Sequence, residues 1–489
     1  MRWILVATWT AAFFISAALF SNTVALRLLL LAAGLAFAAL AVLQERGSIH
    51  MLPPVWLAFV AWAAWAWLSL AWSIDPDRTL KDLRNETLYA GLAFWMCYVA
   101  GQARASARVV VPVVAASAAL LCLVALHAYV QGDLRSGERW HGGPGFLSAV
   151  LLTLLPCALA GGWYGHRAGW RHARPVGVVL VLLFLAAAYS TFNRVVWLAA
   201  AVQVLVLGAL LLVLGRTSFA ARTRTVVGAG VMIIAGAAAM GYVVQSAREV
   251  YYGGSIVLAE DPRLRLWPEI VERISARPIT GYGFGRGMLG QPLSQELNDP
   301  LLWHAHNLFL DAALQLGLPG LLFLVFMLGA TLRAGWRLAR STDDYAAACG
   351  AAVVAVMAGM VVRNMTDTLW VRHTALVYWG VLGMLLAWGS AARQGKAAAK
   401  NLPMTRKDGN SPTTTPAQQR KSAPWHRACA RRKSWPRNGG GRRRRAWCVT
   451  PRPRAIARAR AAARWNPLAA RRARCLRRGR APRCFPRGS

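Results

Sequence analysis

Acidic residues are scarce in this 489-residue chain: 19 Asp and Glu stand against 57 Lys and Arg. Charged residues of both signs make up 16%, against about 25% in an average soluble domain. With 56% hydrophobic residues, that shortage excludes an ordinary water-soluble globule and points to a bilayer. Paired cysteine spacing is lacking too. Cys97, Cys122, Cys157 and Cys349 sit inside apolar runs, where cysteine behaves as a small hydrophobe. Cys429, Cys448, Cys475 and Cys484 are scattered among arginines. Neither a disulfide framework nor a zinc site follows. The opening run "MRWILVATWTAAFFISAALF" has no clear small-residue cleavage site, and further apolar spans follow at once. It reads as a first membrane helix rather than a signal peptide.

What is present is a series of apolar runs of membrane-crossing length, about 20 residues each. They lie near 3–20, 24–43, 55–72, 86–102, 108–130, 144–163, 176–192, 195–214, 225–245, 308–332, 345–362 and 374–391. The expected fold is therefore an all-α integral membrane protein of about 12 transmembrane helices. Loop charges orient the set, because short cytoplasmic loops collect Lys and Arg. Arg104 and Arg108, then Arg167, Arg171 and Arg174, then Arg216, Arg222 and Arg224, then Arg333, Arg337 and Arg340 fall in loops on one side. An even helix count puts both termini on that side. The expected organisation is an N-terminal bundle over 1–245, an outer loop over 246–306, C-terminal helices over 307–392, and a basic tail over 393–489. Residues 393–489 hold 29 of the 57 lysines and arginines and one acid, Asp408. Arg, Pro and Gly without periodicity do not fold alone. A disordered cytoplasmic segment with no evolved task is favoured for it over binding to anionic lipid or nucleic acid.

The outer loop is the longest in the chain, and long loops in compact proteins are usually functional. It contains "EDPRLRLWPEIVERISARPITGYGFGRG". Asp261 and Pro262 suit a helix start, and Trp267, Ile270, Val271 and Ile274 recur at helical spacing. Pro268 would kink or restart that helix, and Pro278 ends it. A short amphipathic helix is expected, on the membrane surface or over the bundle. Arg263 and Arg265 fall near its start, where a helix end and guanidinium groups favour an anion; snorkelling to headgroups is the bland alternative. "GYGFGRG" permits tight turns and close backbone approach, but has no strand–turn–helix context for a nucleotide. Then comes "WHAHNLFLDAALQLGLPG". Three readings of His304 and His306 stay open: metal ligands, hydrogen-bonded interfacial residues, or a general base near neutral pH. "YSTFNRVVWLAA" places Arg194 between two spans with almost no loop, a costly position that marks a functional candidate. Arg135, Arg139, Arg363 and Arg372 are weaker candidates for the same surface.

The order Arg263-x-x-x-Trp267, Pro278, Gly281-x-Gly283, His306-Asn307 and Gly317-x-x-Gly320 resembles the O-antigen ligase and polymerase superfamily. "LAWSIDPDRTL" is similar to that family's first periplasmic loop, and "TFNRVVWLA" to its Ser-Arg segment, with Asn193 where Ser is common. The resemblance spans residues 1 to about 392. It implies an inner-membrane glycosyltransferase of the C-type class, with its active face in the periplasm. Such enzymes move a glycan from undecaprenyl diphosphate to an acceptor hydroxyl, with inversion and with neither metal nor other cofactor. Carried over, Arg263 and Arg194 hold the diphosphate with help from Arg265. His306 acts at the acceptor hydroxyl, and Asn307 fixes the turn into the next span. Trp267, Gly281 and Gly283 support the site. Gln315 stands where an acid is common in the family. Expected partners are the lipid-linked donor, membrane lipids, and lipid A–core or a growing glycan as acceptor, with no nucleic acid. The compact body favours a ligase; a polymerase, a protein O-glycosylase and a polysaccharide transporter follow in that order. A transporter predicts an internal repeat, and none is clear.

Overall fold

The computed structural model describes residues 2–45, 49, 55–103, 105–213, 227, 228, 230, 231, 233, 235–243, 262–299, 302–368 and 370–401. The chain divides into units 1–405 and 406–489; the basic tail beyond Asn401, Asp261 and parts of the ninth expected span lie outside the described residues.

Every regular element among the described residues is helical. The helices are α1 Arg2–Ala18, α2 Val24–Gln44, α3 Trp56–Leu68, α4 Pro76–Asp82, α5 Tyr89–Gly101, α6 Ser106–Gln131, α7 Leu134–His141, α8 Pro144–Arg167, α9 Ala173–Tyr189 and α10 Arg194–Val213. After the outer loop begins come α11 Arg263–Ala276, α12 Gly290–Glu296, α13 Leu308–Ala339, α14 Asp344–Asn364 and α15 Arg372–Asn401. Of these α2, α6, α8, α13, α14 and α15 contain stretches long and apolar enough to cross a membrane; α1, α9, the start of α10 and the segment Trp56–Ala71 are shorter apolar helices. The chain is thus a helical membrane protein. Its last helix runs on to Asn401, past the expected boundary at 392.

Small residues let these helices close on one another, because lipid gives apolar side chains no reason of their own to associate. A Cβ on Gly101 would stand 2.7 Å from Cβ of Ala387, so α5 and α15 pack through their small faces. Opposite ends of the bundle carry different polar contacts. At one end Arg167 pairs with Asp344 at 2.9 Å, joining the basic loops after α8 and α13. At the other, the Ser21 amide donates to the Trp140 carbonyl at 2.7 Å and the Ile74 amide to that of Tyr282 at 3.1 Å.

That second end is organised by a break in α13. Gly317 takes φ 68° and ψ −177°, which interrupts the helical ladder. The carbonyls freed there need partners, since unpaired backbone groups are costly away from water. Tyr282 and Gly283 amides donate to Leu314 and Gln315 carbonyls at 3.0 and 2.9 Å, and the Leu318 amide donates to Pro278 at 2.7 Å. The Trp65 indole donates to the Leu316 carbonyl at 3.0 Å. The glycine-rich loop is the splint for this break. Gly281 has φ 63°, and a Cβ there would lie 2.6 Å from the Gln315 carbonyl oxygen; Gly283 has φ 104° and leaves no room against Ser73. The close backbone approach expected of these glycines is made to α13 and to the loop after α3.

Candidate active site

Helix α11 presents two faces. Arg263, Leu266, Trp267 and Ile270 fall at helical spacing on one side; Leu266 and Ile270 are fully buried, and Trp267 and Ile274 pack beside them. Tyr282, Leu289, Leu293, Leu302, Ala305 and Leu314 receive this face, so the helix lies over the protein's own loop and α13. Val271, expected in the apolar stripe, is 51% exposed. The helix passes through Pro268 without a break.

The orientation of α11 separates the two arginines. Arg263 begins the docked face and is partly buried, whereas Arg265 is exposed on the far face. The Trp267 indole donates to the Ala305 carbonyl at 3.1 Å, which fixes α11 against the histidine segment.

That segment is bent sharply. His306 takes φ 49°, a left-handed conformation uncommon for a residue with a side chain, and the rings of His304 and His306 approach to 3.7 Å between centroids. Asn307 then caps α13: its Oδ1 accepts from the amides of Phe309 and Leu310 at 2.9 and 3.2 Å. Its Nδ2 donates to the Met365 carbonyl at 3.1 Å, tying the turn to the loop after α14. Asp311, one turn into α13, is buried. It accepts the Ala305 amide at 3.1 Å on Oδ1 and the Thr368 hydroxyl on Oδ2. One carboxylate thus holds both the histidine segment and the loop that faces it.

The facing loop supplies Asp367. Its Oδ1 lies 3.2 Å from Nε2 of His304 and 3.8 Å from Nδ1 of His306. Its Oδ2 lies 3.8 Å from a terminal nitrogen of Arg363. Burial pushes the Asp367 carboxyl up. The His304 hydrogen bond and the charges of Arg363, His304 and His306 outweigh this and hold it well below the usual carboxylate range. Arg363 is 2% exposed and also donates to the Ser148 hydroxyl at 3.0 Å. The charge of Arg263 is felt at Arg363. Arg363 therefore pairs with this carboxylate, and Arg263, from a separate element, lies close enough to act on Arg363 by charge.

Such a set can act on either sign of ligand. His304, His306 and Asp367 offer three ligand atoms within 4.8 Å of one another, compatible with a divalent cation. Against a cation stands the positive charge near them: Arg363 already answers Asp367, and Arg263 adds a second charge close to Arg363. An anion with oxygens on a planar face suits the pair of guanidinium groups better.

Residues 178–325 match the family model described as O-antigen ligase. That match supports a likeness of this part of the chain to the O-antigen ligase superfamily. No curated protein matches the chain closely enough to count as a relative. The matched O-antigen ligase segment includes Arg194, Arg263, both histidines and the broken part of α13, and stops short of Arg363 and Asp367.

Of the residues expected at the site, the structure gathers Arg263, Trp267, His306 and Asn307, and uses Gly281 and Gly283 to splint the helix behind them. Arg265 points elsewhere. Arg194 opens α10, next to Phe192, whose ring lies 5.9 Å from that of Tyr129 near the end of α6. It is not among the charges acting on Asp367 or Arg363. Gln315 is buried, and its Oε1 accepts the Gly285 amide at 3.0 Å, so this side-chain amide holds the glycine loop. Asp367, Asp311, Thr368 and Ser148 escaped the sequence reading. Asp311 carried a signal, an acid inside an apolar span.

Proposed function

We propose that this protein is an O-antigen ligase-type glycosyltransferase. It moves a glycan from undecaprenyl diphosphate to a hydroxyl of lipid A–core at the periplasmic face of the inner membrane. The observation that carries this reading is the Asp367–His304–His306 cluster at one end of an apolar helical bundle, with Arg363 paired to its carboxylate and Arg263 acting on Arg363 by charge. The leaving group in such a transfer is a diphosphate, so negative charge grows on its oxygens as the bond to the sugar breaks. Fixed guanidinium groups in a partly dry site stabilise that charge without reorganising. The acceptor oxygen attacks the anomeric carbon from the opposite side, which inverts it, and the hydroxyl proton passes to His306. Asp367 orients the histidine pair and balances the positive charge formed there. Arg194 belongs to the approach of the donor along the bundle, and Arg265 contributes little.

The test is a gel of lipopolysaccharide from a host deleted for the gene, with lipid-linked glycan extracted alongside, complemented by wild type, His306→Ala or Arg263→Ala at equal expression. The ligase reading expects bare core and accumulated lipid-linked polymer, rescued by wild type alone. Core carrying a single repeat would mean a polymerase. An unchanged ladder overturns both and moves the search to protein O-glycosylation or transport.

A further inference from the structure

Beside the histidine pair opens a cleft of about 470 Å³, with Asp77, Asp82, Asn85, Glu86, Arg372 and Trp303 in its lining. Its size falls in the usual range for small-ligand sites, about 300–1,000 Å³. The walls come from α4, the π-helical turn Leu83–Leu88, the glycine loop and the start of α15. None of these groups belongs to the cluster that faces the diphosphate.

The lining is rich in charge and nearly balanced in sign, with four acids facing four bases. Two of the bases are already engaged with the walls. An Arg78 terminal nitrogen donates to the Arg286 carbonyl at 2.8 Å. Arg286 donates to the Thr368 carbonyl at 2.9 Å and lies 4.8 Å over the Trp303 ring. A phosphate clamp needs guanidinium forks and a positive field on one side; here Arg78 and Arg286 each spend a nitrogen on the frame, and four acids offset the charge of the bases. Asp82 and Glu86, in contrast, interact with the bases through charge alone, and burial pushes both carboxyls up. The cleft therefore offers mixed donors and acceptors at short spacing (carboxylate, carboxyl, amide and ammonium), which suits a ligand whose own groups both donate and accept. Hydroxyl groups do both.

Position adds to chemistry. Trp303 lines the cleft, its ring lies 4.3 Å from that of His304, and the His304 ring lies 3.7 Å from that of His306. A ligand in the cleft is thus linked to the reacting histidine, His306, through the Trp303 and His304 rings. Resting on the glycosyltransferase reading, we infer that the cleft is the acceptor subsite and takes an uncharged, polyhydroxylated sugar ring through its hydroxyls, with phosphate groups of either substrate excluded from it.

The experiment reads binding apart from turnover. Full-length protein in nanodiscs is examined by saturation-transfer NMR with neutral disaccharides of glucose, N-acetylglucosamine and rhamnose, and with deacylated outer glycan from the host envelope. Inorganic phosphate and glucose 6-phosphate form the charged arms. At least one neutral saccharide is expected to bind. Asp77→Ala and Asn85→Ala, both at the cleft and away from the histidine cluster, are each expected to weaken it roughly tenfold, the loss typical of a hydrogen bond to a charged or polar partner. His306→Ala leaves binding intact. No saccharide signal, a signal untouched by both variants, or a response to the phosphate compounds alone overturns the inference. Transfer assayed on the same samples separates the two claims: binding without transfer removes the enzyme reading and leaves the subsite, and transfer without binding does the reverse.

Discussion

Oδ1 of Asp367 stands 3.2 Å from Nε2 of His304. The contact joins the loop after α14 to the segment before α13, and Arg363 holds the other carboxylate oxygen at 3.8 Å. Asp367→Asn keeps the shape and removes the charge, leaving Arg363 buried without its counter-ion. Breaking a buried pair from one side costs about 3–5 kcal/mol, and the 22% exposure of Asp367 favours the lower figure. The sign with pH follows from a carboxyl held below its ordinary value of 3.8. Its contribution is complete above that value and is lost as pH falls through the lowered one. Thermal unfolding in detergent should therefore separate wild type from Asp367→Asn most widely near pH 6–7. The gap should narrow as pH falls below about 4. A gap that widened in acid would contradict the ion-pair account.

Arg263 and Arg265 are two residues apart and are expected to behave differently. If the docked face of α11 serves the site, Arg263→Ala lowers transfer about 10²–10³-fold, the range for removing one fixed donor to developing charge. Arg265→Ala, on the exposed face, changes it less than about threefold. Equal losses would mean that both arginines reach the donor and that α11 turns in the membrane-bound enzyme. His306→Ala is expected to lower kcat about 10²–10⁴-fold with a smaller effect on KM for the donor.

How far the sequence revealed this arrangement depends on what fixes each part. The spans were legible because a bilayer demands long apolar runs, and α8, α13, α14 and α15 fall on expected positions. Arg263, His306 and Asn307 were legible because their order in the chain is distinctive. The choice between Arg263 and Arg265 was not. It turns on whether Leu266 or Val271 faces inward, and both are apolar. Asp367 was hidden for a different reason: its histidine partners come from another loop, and only the crossing of α13 and α14 brings His304 to it. The glycine loop misled in part. Its glycines indicated close approach, but the approaching group is the broken backbone of α13 rather than a ligand.

The splint makes its own prediction. Gly283→Ala puts a side chain at φ 104° against Ser73, and holding a non-glycine residue there costs about 1–3 kcal/mol before any clash. Gln315→Leu removes the acceptor of the Gly285 amide, a loss of about 1–3 kcal/mol for a buried donor left unmet. Gln315→Glu keeps an acceptor oxygen and should retain most of the stability. Detergent-solubilised melting temperatures should rank wild type and Gln315→Glu above Gln315→Leu, with Gly283→Ala low as well. If Gln315→Leu matched wild type, the amide would not be what holds the loop.

Metal independence can be separated from metal binding at His304, His306 and Asp367. Arg363 beside the carboxylate, with the Arg263 charge near it, makes a dication there unfavourable, and the proposed transfer assigns its charge stabilisation to guanidinium groups. Purified protein should therefore retain transfer after exhaustive treatment with EDTA, and added zinc should inhibit by capturing the histidine pair. His304→Ala should relieve that inhibition, because it removes one of three ligand atoms and metal affinity depends on their number. Loss of transfer on chelation with recovery on adding back one metal would reassign the cluster as a metal centre. The arginines would then be counter-ions to the donor at a site the metal had organised.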